Sequence, residues 1–229
     1  MYNICDIDLK ILSIFNGSGS DFIDAVSLTL TSGVIWIPLY VALLYVIIKN
    51  SDTMLQIALA TGCALLCVAI TSGVSELLVK PLVARLRPCN DPMIKLGINV
   101  IAGTCPKGYS FFSSHAANTF GLATYFSCLF RSRLLTVSLV LWSLVNCWTR
   151  LYLGVHYPSD IVCGLLFGAL IGFSAYLFYR KIYLRMFTRH VAYSSRYTKS
   201  GYYVADIDII MNVLAFILCF VLIKAMIVQ

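Results

Sequence analysis

The chain has 229 residues, of which 60% are hydrophobic and only 12% charged, with a formal net charge of +7. Soluble domains carry about 25% charged residues. A mean hydropathy of +0.86 therefore excludes an ordinary soluble domain and points to a polytopic membrane protein.

In chain order, residues 1–24 place Asp6, Asp8, Lys10, Asp21 and Asp24 among Ile7, Ile11, Ile14 and Phe15. That weakly amphipathic pattern predicts an interfacial segment. Its acidic opening lacks the positive start and compact apolar centre of a secretory signal, so the mature chain is expected to begin near Met1. Six apolar runs follow: Ala25–Ile48, Leu55–Val79, Ser113–Phe130, Leu134–Tyr152, Ser159–Tyr179 and Ile209–Val228. A crossing of about 30 Å needs roughly 20 residues. The expected fold class is thus all-α: a polytopic transmembrane bundle of about six spans, with residues 25–229 as a single domain and residues 1–24 as an interfacial helix. There is no room for a separate soluble domain, and no internal repeat or low-complexity tract is visible.

Lysine and arginine set the expected orientation. Lys49, then Arg131 and Arg133, then Arg180, Lys181, Arg185, Arg189, Arg196 and Lys199 follow the first, third and fifth spans, which makes those loops cytoplasmic. Lys80, Arg85, Arg87, Lys95 and Lys107 lie on the other face, where several are needed for a ligand. Six of the nine cysteines fall in spans, where cysteine acts as a small hydrophobe. Cys89 and Cys105 share the loop from Pro81 to Phe112; a disulfide between them and two packed free thiols are both open.

Three short stretches concentrate the ionisable residues at membrane boundaries. In KPLVARLRP, Pro81 and Pro88 bracket a segment that can direct Lys80 and Arg87 back toward the membrane surface. Guanidinium and ammonium groups together suit a phosphoryl group, the alternative being a basic cluster on lipid headgroups, where Arg85 is placed. Glu76 stands four residues before Lys80 and reads as its helix-end ion-pair partner. In FSSHAAN, serines precede an apolar run, as helix caps do, and a helix amino terminus offers N–H groups to an anion. Ser113, Ser114 and His115 would face it, and His115 could protonate a leaving oxygen. In TRLYLGVHYPSD, Arg150 ends one span, His156 stands in the connection, and Asp160 opens the next. A carboxylate four residues after a histidine can hold one ring nitrogen and leave the other free to attack phosphorus, the alternative being a simple helix cap.

Taken together the stretches resemble the signature of the type 2 phosphatidic-acid phosphatase and haloperoxidase superfamily, over roughly Leu55 to Tyr179 with the signature at residues 80–160. The match comprises Lys80, six residues, then Arg87-Pro88; Phe112-Ser113-Ser114-His115; and Thr149-Arg150, five residues, His156, three residues, Asp160. Phe112, Ser114 and Thr149 stand where the family has proline, glycine and serine. Ser114 is less free than glycine to adopt positive φ, so the anion-binding turn is expected to be shaped differently.

The resemblance implies a two-step displacement. Lys80, Arg87, Arg150, Ser113 and the N–H of Ser114 hold the phosphate, His156 attacks, His115 protonates the departing oxygen, and Asp160 steadies His156. It implies no metal and no other cofactor. The expected partners are the lipid bilayer and a membrane lipid phosphate, reached laterally at the outer face of a bacterial inner membrane. Undecaprenyl diphosphate is favoured narrowly, then lipid A, with phosphatidylglycerol phosphate and phosphatidate further candidates. The soluble, vanadate-binding haloperoxidase branch does not fit an embedded chain. A non-catalytic anionic-lipid transporter or binding protein would use the three cations but not His156 with Asp160. The basic, tyrosine-bearing segment Arg180 to Lys199 is read as gripping cytoplasmic lipid, and no nucleic-acid partner is expected. His190 within it has no assigned role.

Overall fold

A computed structural model describes residues 4–17, 19–101, 103–187 and 196–227; His190 lies outside them. Nine α-helices of the described residues make up the architecture: α1 (Ile4–Phe15), α2 (Asp21–Thr31), α3 (Ile37–Lys49), α4 (Met54–Gly73), α5 (Lys80–Val83), α6 (Ser114–Phe130), α7 (Arg133–Tyr152), α8 (Pro158–Met186) and α9 (Val204–Ile227). No β-strand occurs among the described residues beyond one isolated bridge, Tyr197 to Tyr203. The all-α polytopic bundle expected from composition is the observed fold.

The span count differs from six. Among the described residues four helical stretches are long and apolar enough to cross a membrane, with α4, a π-helical turn (Val74–Val79) and α5 running together as Met54–Val83. The first expected span is a bent pair, Asp21–Thr31 and Gly33–Lys49, at 65°. Counting that pair gives five. α6, with 17 residues, is shorter than the others and sits at the centre of the bundle, with both its flanks covered by α4, α7 and α8. The amino-terminal segment is not one piece, because α2 already starts at Asp21; α1 packs against α7 and α8 while Ile7, Ile14 and Phe15 remain exposed.

The α6–α8 pair is the most extensive contact in the molecule. α8 carries glycines at 164, 168 and 172, one turn apart, all buried. A Cβ on Gly164 would lie 2.7 Å from the Ser113 carbonyl oxygen. One on Gly168 would run into the Ala117 carbonyl, and one on Gly172 into the Gly121 carbonyl. Small residues at this spacing let two backbones touch, which in lipid is the main source of helix association. Because α6 and α8 both start at the same end of the bundle, this contact brings their amino termini side by side, and the Ser113 N–H donates to the Asp160 carbonyl at 3.1 Å.

The opposite end is fastened separately. Asp206 on α9 accepts from Lys49 Nζ at 2.7 Å and from Asn50 Nδ2 at 2.9 Å, and the Tyr202 ring meets Phe130 edge-on at 4.7 Å. Arg131, Arg133 and Arg180 are at this end too, following or closing α6 and α8.

Replacing Gly172 by alanine is expected to lower the thermal midpoint in detergent, by an overpacking cost of about 1–3 kcal/mol. Gly62, inside α4, has open space where a Cβ would stand. Alanine there is expected to be neutral or stabilising, by up to about 1 kcal/mol. Equal midpoints for the two variants would contradict the close-packed contact.

Candidate active site

The candidate side chains are delivered by helix ends and by the connections next to them. The α7 carboxyl terminus closes with Gly154 at φ +64, a left-handed position where a Cβ would strike Ile98 and Asn16. That turn sends the chain into the buried connection holding His156, and Pro158 then starts α8. Asp160 sits in the first turn of α8, where its Oδ2 accepts the Tyr157 N–H at 3.0 Å. It therefore caps the helix and also lies beside His156. Ser113 caps α6, its Oγ accepting from Ala116 N at 3.4 Å.

The sequence-predicted groups converge. Lys80, Arg87, Ser114, His115, Arg150 and His156 all line one cavity of about 410 Å³, closed on another side by Trp36, Tyr40 and Thr31 from the α2–α3 bend. Ser113 and Asp160 are fully buried immediately behind it. Arg87 Nη1 donates to the Val155 carbonyl at 3.1 Å and stands 3.2 Å from His156 Nε2. A guanidinium can only donate, so Nε2 presents its lone pair and the ring proton falls on Nδ1. Nδ1 lies 3.4 Å from Asp160 Oδ2, close enough for attraction but not in hydrogen-bonding geometry, and it is buried with no other partner among the described residues. The lone pair on Nε2, which points into the cavity side occupied by the cations, is the tautomer a nucleophilic imidazole requires.

Arg87 Nε and Arg150 Nε are likewise buried without a hydrogen-bond acceptor, although Arg150 Nη2 reaches the Thr31 carbonyl at 3.0 Å. Buried donors of this kind are costly unless something accepts from them. A phosphate in the cavity would supply the oxygens. Among the described residues no group of three or more His, Cys, Asp or Glu is placed to hold a metal ion.

Burial pulls the His156 imidazole down to about 4; Asp160 opposes that and the Arg87 and Arg150 charges add to it. The ring is thus neutral in the unliganded protein at neutral pH. Burial also lowers the Arg87 guanidinium, partly countered by Glu76 and Asp160.

Arg85 corrects the sequence reading, which leaves it on lipid headgroups. Its Nη1 donates to Asp160 Oδ1 at 2.8 Å and to Ser159 Oγ at 2.7 Å, its Nη2 donates to Asp8 Oδ2 at 2.7 Å, and its guanidinium lies 3.7 Å over the Tyr157 ring. Asp8, read from sequence as interfacial, is 3% exposed, and it also accepts the Ser159 N–H and hydroxyl at 2.9 and 2.6 Å. One buried network thus ties α1 to the carboxylate behind His156. Asp8 stands among Ile7, Leu9 and Ile11 with Asp6 and Lys10 on either side, and no local spacing links it to Arg85. A disulfide joins Cys89 to Cys105 in the loop that carries Arg87.

The PAP2 superfamily profile matches residues 60–184. The chain belongs to the PAP2 superfamily. It is 40% identical to the lipid A 4′-phosphatase of Bacteroides thetaiotaomicron over 178 residues, 77% of each chain. To the lipid A 4′-phosphatase of Porphyromonas gingivalis it is 27% identical over 90% of this chain and 85% of that one. A putative undecaprenyl-diphosphatase of Escherichia coli is 32% identical over 53% of this chain and 60% of that one. No solved structure matches. The protein is a PAP2 phosphatase acting on lipid phosphate and an integral bacterial membrane protein.

Two outcomes check the site. The unfolded His156 titrates near 6.5 and the folded ring near 4, so the unfolded state takes up the proton first and stability falls as pH drops from 6.5 to 4. That gap corresponds to about 3 kcal/mol, and His156→Gln is expected to flatten the fall of thermal midpoint across the window by up to that much. Asp8→Asn removes one anchor of Arg85; kcat is expected to fall several-fold with KM little changed, measured by phosphate release in micelles.

Proposed function

We propose that this PAP2 phosphatase removes the 4′-phosphate of lipid A at the extracytoplasmic face of the inner membrane, through a covalent phosphohistidine and without a metal. The observation carrying the chemistry is the single cavity that holds three cations and two histidines, one of them with its Nε2 lone pair directed at the cations. The substrate rests on the relatives: two lipid A 4′-phosphatases match over most of the chain, whereas the undecaprenyl-diphosphatase matches over about half of it. That shifts the preference from undecaprenyl diphosphate, which the motifs alone favour narrowly, to lipid A.

In the proposed reaction Lys80, Arg87, Arg150 and the amino terminus of α6 hold the phosphate oxygens, with Ser113 fixing that terminus. His156 Nε2 attacks phosphorus. His115 gives its proton to the departing sugar oxygen and then takes one from the water that cleaves the phosphohistidine. Asp160 stabilises the positive charge His156 gains. The orientation is supported by Arg131, Arg133 and Arg180 at the end of the bundle opposite the site. A non-catalytic lipid-binding protein would leave the Asp8–Arg85–Asp160 support of His156 without use.

The test is inorganic phosphate release from lipid A in detergent micelles with excess EDTA. The unmodified protein is expected to release phosphate, with His156→Ala reduced to background and Arg150→Ala slowed by about 10²–10³-fold. Equal release by the unmodified protein and His156→Ala would overturn the assigned nucleophile. Release from undecaprenyl diphosphate alone would overturn the lipid A assignment.

A further inference from the structure

Glu76 is a carboxylate inside the same cavity that the phosphatase chemistry does not use. It is carried by the π-helical turn Val74–Val79 inside an otherwise α-helical span. Such turns recur at functional sites because the extra residue re-aims the side chains around it. Here Glu76 from the turn and Lys80 just after it line the phosphate cavity, with Ser75 buried beside them. Ser75 Oγ donates to the Phe112 carbonyl at 3.1 Å and lies 2.8 Å from Ser114 Oγ. Glu76 Oε1 accepts from Ser114 Oγ at 2.6 Å and pairs with Lys80 Nζ, which also reaches Ser114 Oγ at 3.1 Å.

The neighbouring residues Leu77, Leu78 and Leu82 face outward and are strongly exposed, while the Glu76 side chain is 53% exposed. Glu76 thus lines the cavity and also stands beside the exposed, lipid-facing surface of its helix. An ionised side chain at such a place is costly without a partner or a use. Lys80 is a partner, but a lysine meant only to hold phosphate is weakened by sharing its charge with a carboxylate.

We infer that Glu76 is a specificity-determining residue that fits the cavity to a phosphate monoester of a hydroxyl-bearing headgroup and disfavours a diphosphate. Lys80, Arg87 and Arg150 bring three positive charges to the cavity wall and Glu76 one negative charge, leaving two. A phosphate monoester carries about two negative charges at neutral pH and matches that balance. A diphosphate ester brings at least one more. In-line transfer puts the leaving oxygen opposite His156 Nε2. In the proposed reaction His115 protonates that oxygen, so the leaving group lies beside His115, which is adjacent in the chain to Ser114, whose hydroxyl Glu76 holds. A second phosphoryl group on the leaving side would meet the carboxylate and be repelled, whereas a sugar hydroxyl or amide N–H would donate to it. Asn118 and Ser72, which line the same wall and bond each other at 2.8 Å, add neutral polar groups for such a headgroup.

This inference rests on the lipid A reading for its headgroup, and its test separates the two. Rates of phosphate release from lipid A and from undecaprenyl diphosphate are compared for the unmodified protein, Glu76→Gln and Glu76→Asp. Glu76→Gln is expected to raise the ratio of diphosphate to monoester kcat/KM by roughly tenfold or more, the effect of removing one nearby like charge. Glu76→Asp, which keeps the charge, is expected to stay near the unmodified ratio. If Glu76→Gln lowers both substrates in proportion, the residue only holds Lys80 and the inference is overturned. If the unmodified protein is inert on lipid A, the substrate reading fails. Phosphatidate against diacylglycerol diphosphate then decides Glu76 by the same ratio.

Discussion

The backbone contact between α6 and α8 is the constraint on which the site depends. Helices in lipid gain little from burying apolar surface against each other, so close packing of small residues has to hold them. Gly164, Gly168 and Gly172 let α8 lie directly on the backbone of α6 at Ser113, Ala117 and Gly121. Both helices begin at the same end, and the closest approach runs up to those beginnings. The result is that the start of one helix, with Ser113 and His115, lies beside the start of the other, with Asp160 and, in the connection just before it, His156. A side chain at any of the three glycines would push the two halves of the site apart.

Around that contact the electrostatics are arranged in two layers. The inner layer is a cavity of cations whose donors are incompletely satisfied, Arg87 and Arg150 each keeping a buried Nε without an acceptor. Leaving donors unpaired costs stability, and in the proposed reaction an arriving phosphate would return it as binding. The outer layer is fully paired: Asp160, Arg85, Asp8 and Ser159 satisfy one another. Its role follows from what it holds. Asp160 is fixed behind a histidine that burial keeps neutral, and in the proposed reaction that gives the imidazole somewhere to place charge as it bonds to phosphorus.

Much of this was legible in the sequence, and the reasons for the exceptions are physical. Membrane character and the all-α class follow from hydropathy, because a backbone in lipid must satisfy itself within helices. The convergence of Lys80, Arg87, Ser114, His115, Arg150 and His156 on one cavity followed from motif spacing at helix ends. The span count did not follow, since hydropathy cannot register the 65° bend after Thr31 or the fact that α6 is short and central. The Asp8–Arg85 link spans 77 residues and leaves no local pattern. The glycine repeat at 164, 168 and 172 was readable as small residues four apart, a signal that hydropathy passes over. Glu76 read correctly as the partner of Lys80, but only the π-helical turn shows that the pair faces the phosphate cavity.

The central claim is that phosphorus passes through His156. The most direct measurement is rapid acid-free quenching of the protein during turnover of lipid A labelled in its 4′-phosphate, followed by mapping of any protein-bound label. The account predicts an acid-labile, alkali-stable phosphate on the peptide containing His156, absent from His156→Ala. Sustained turnover with label on His115 instead, or His156→Ala still turning over, would contradict it.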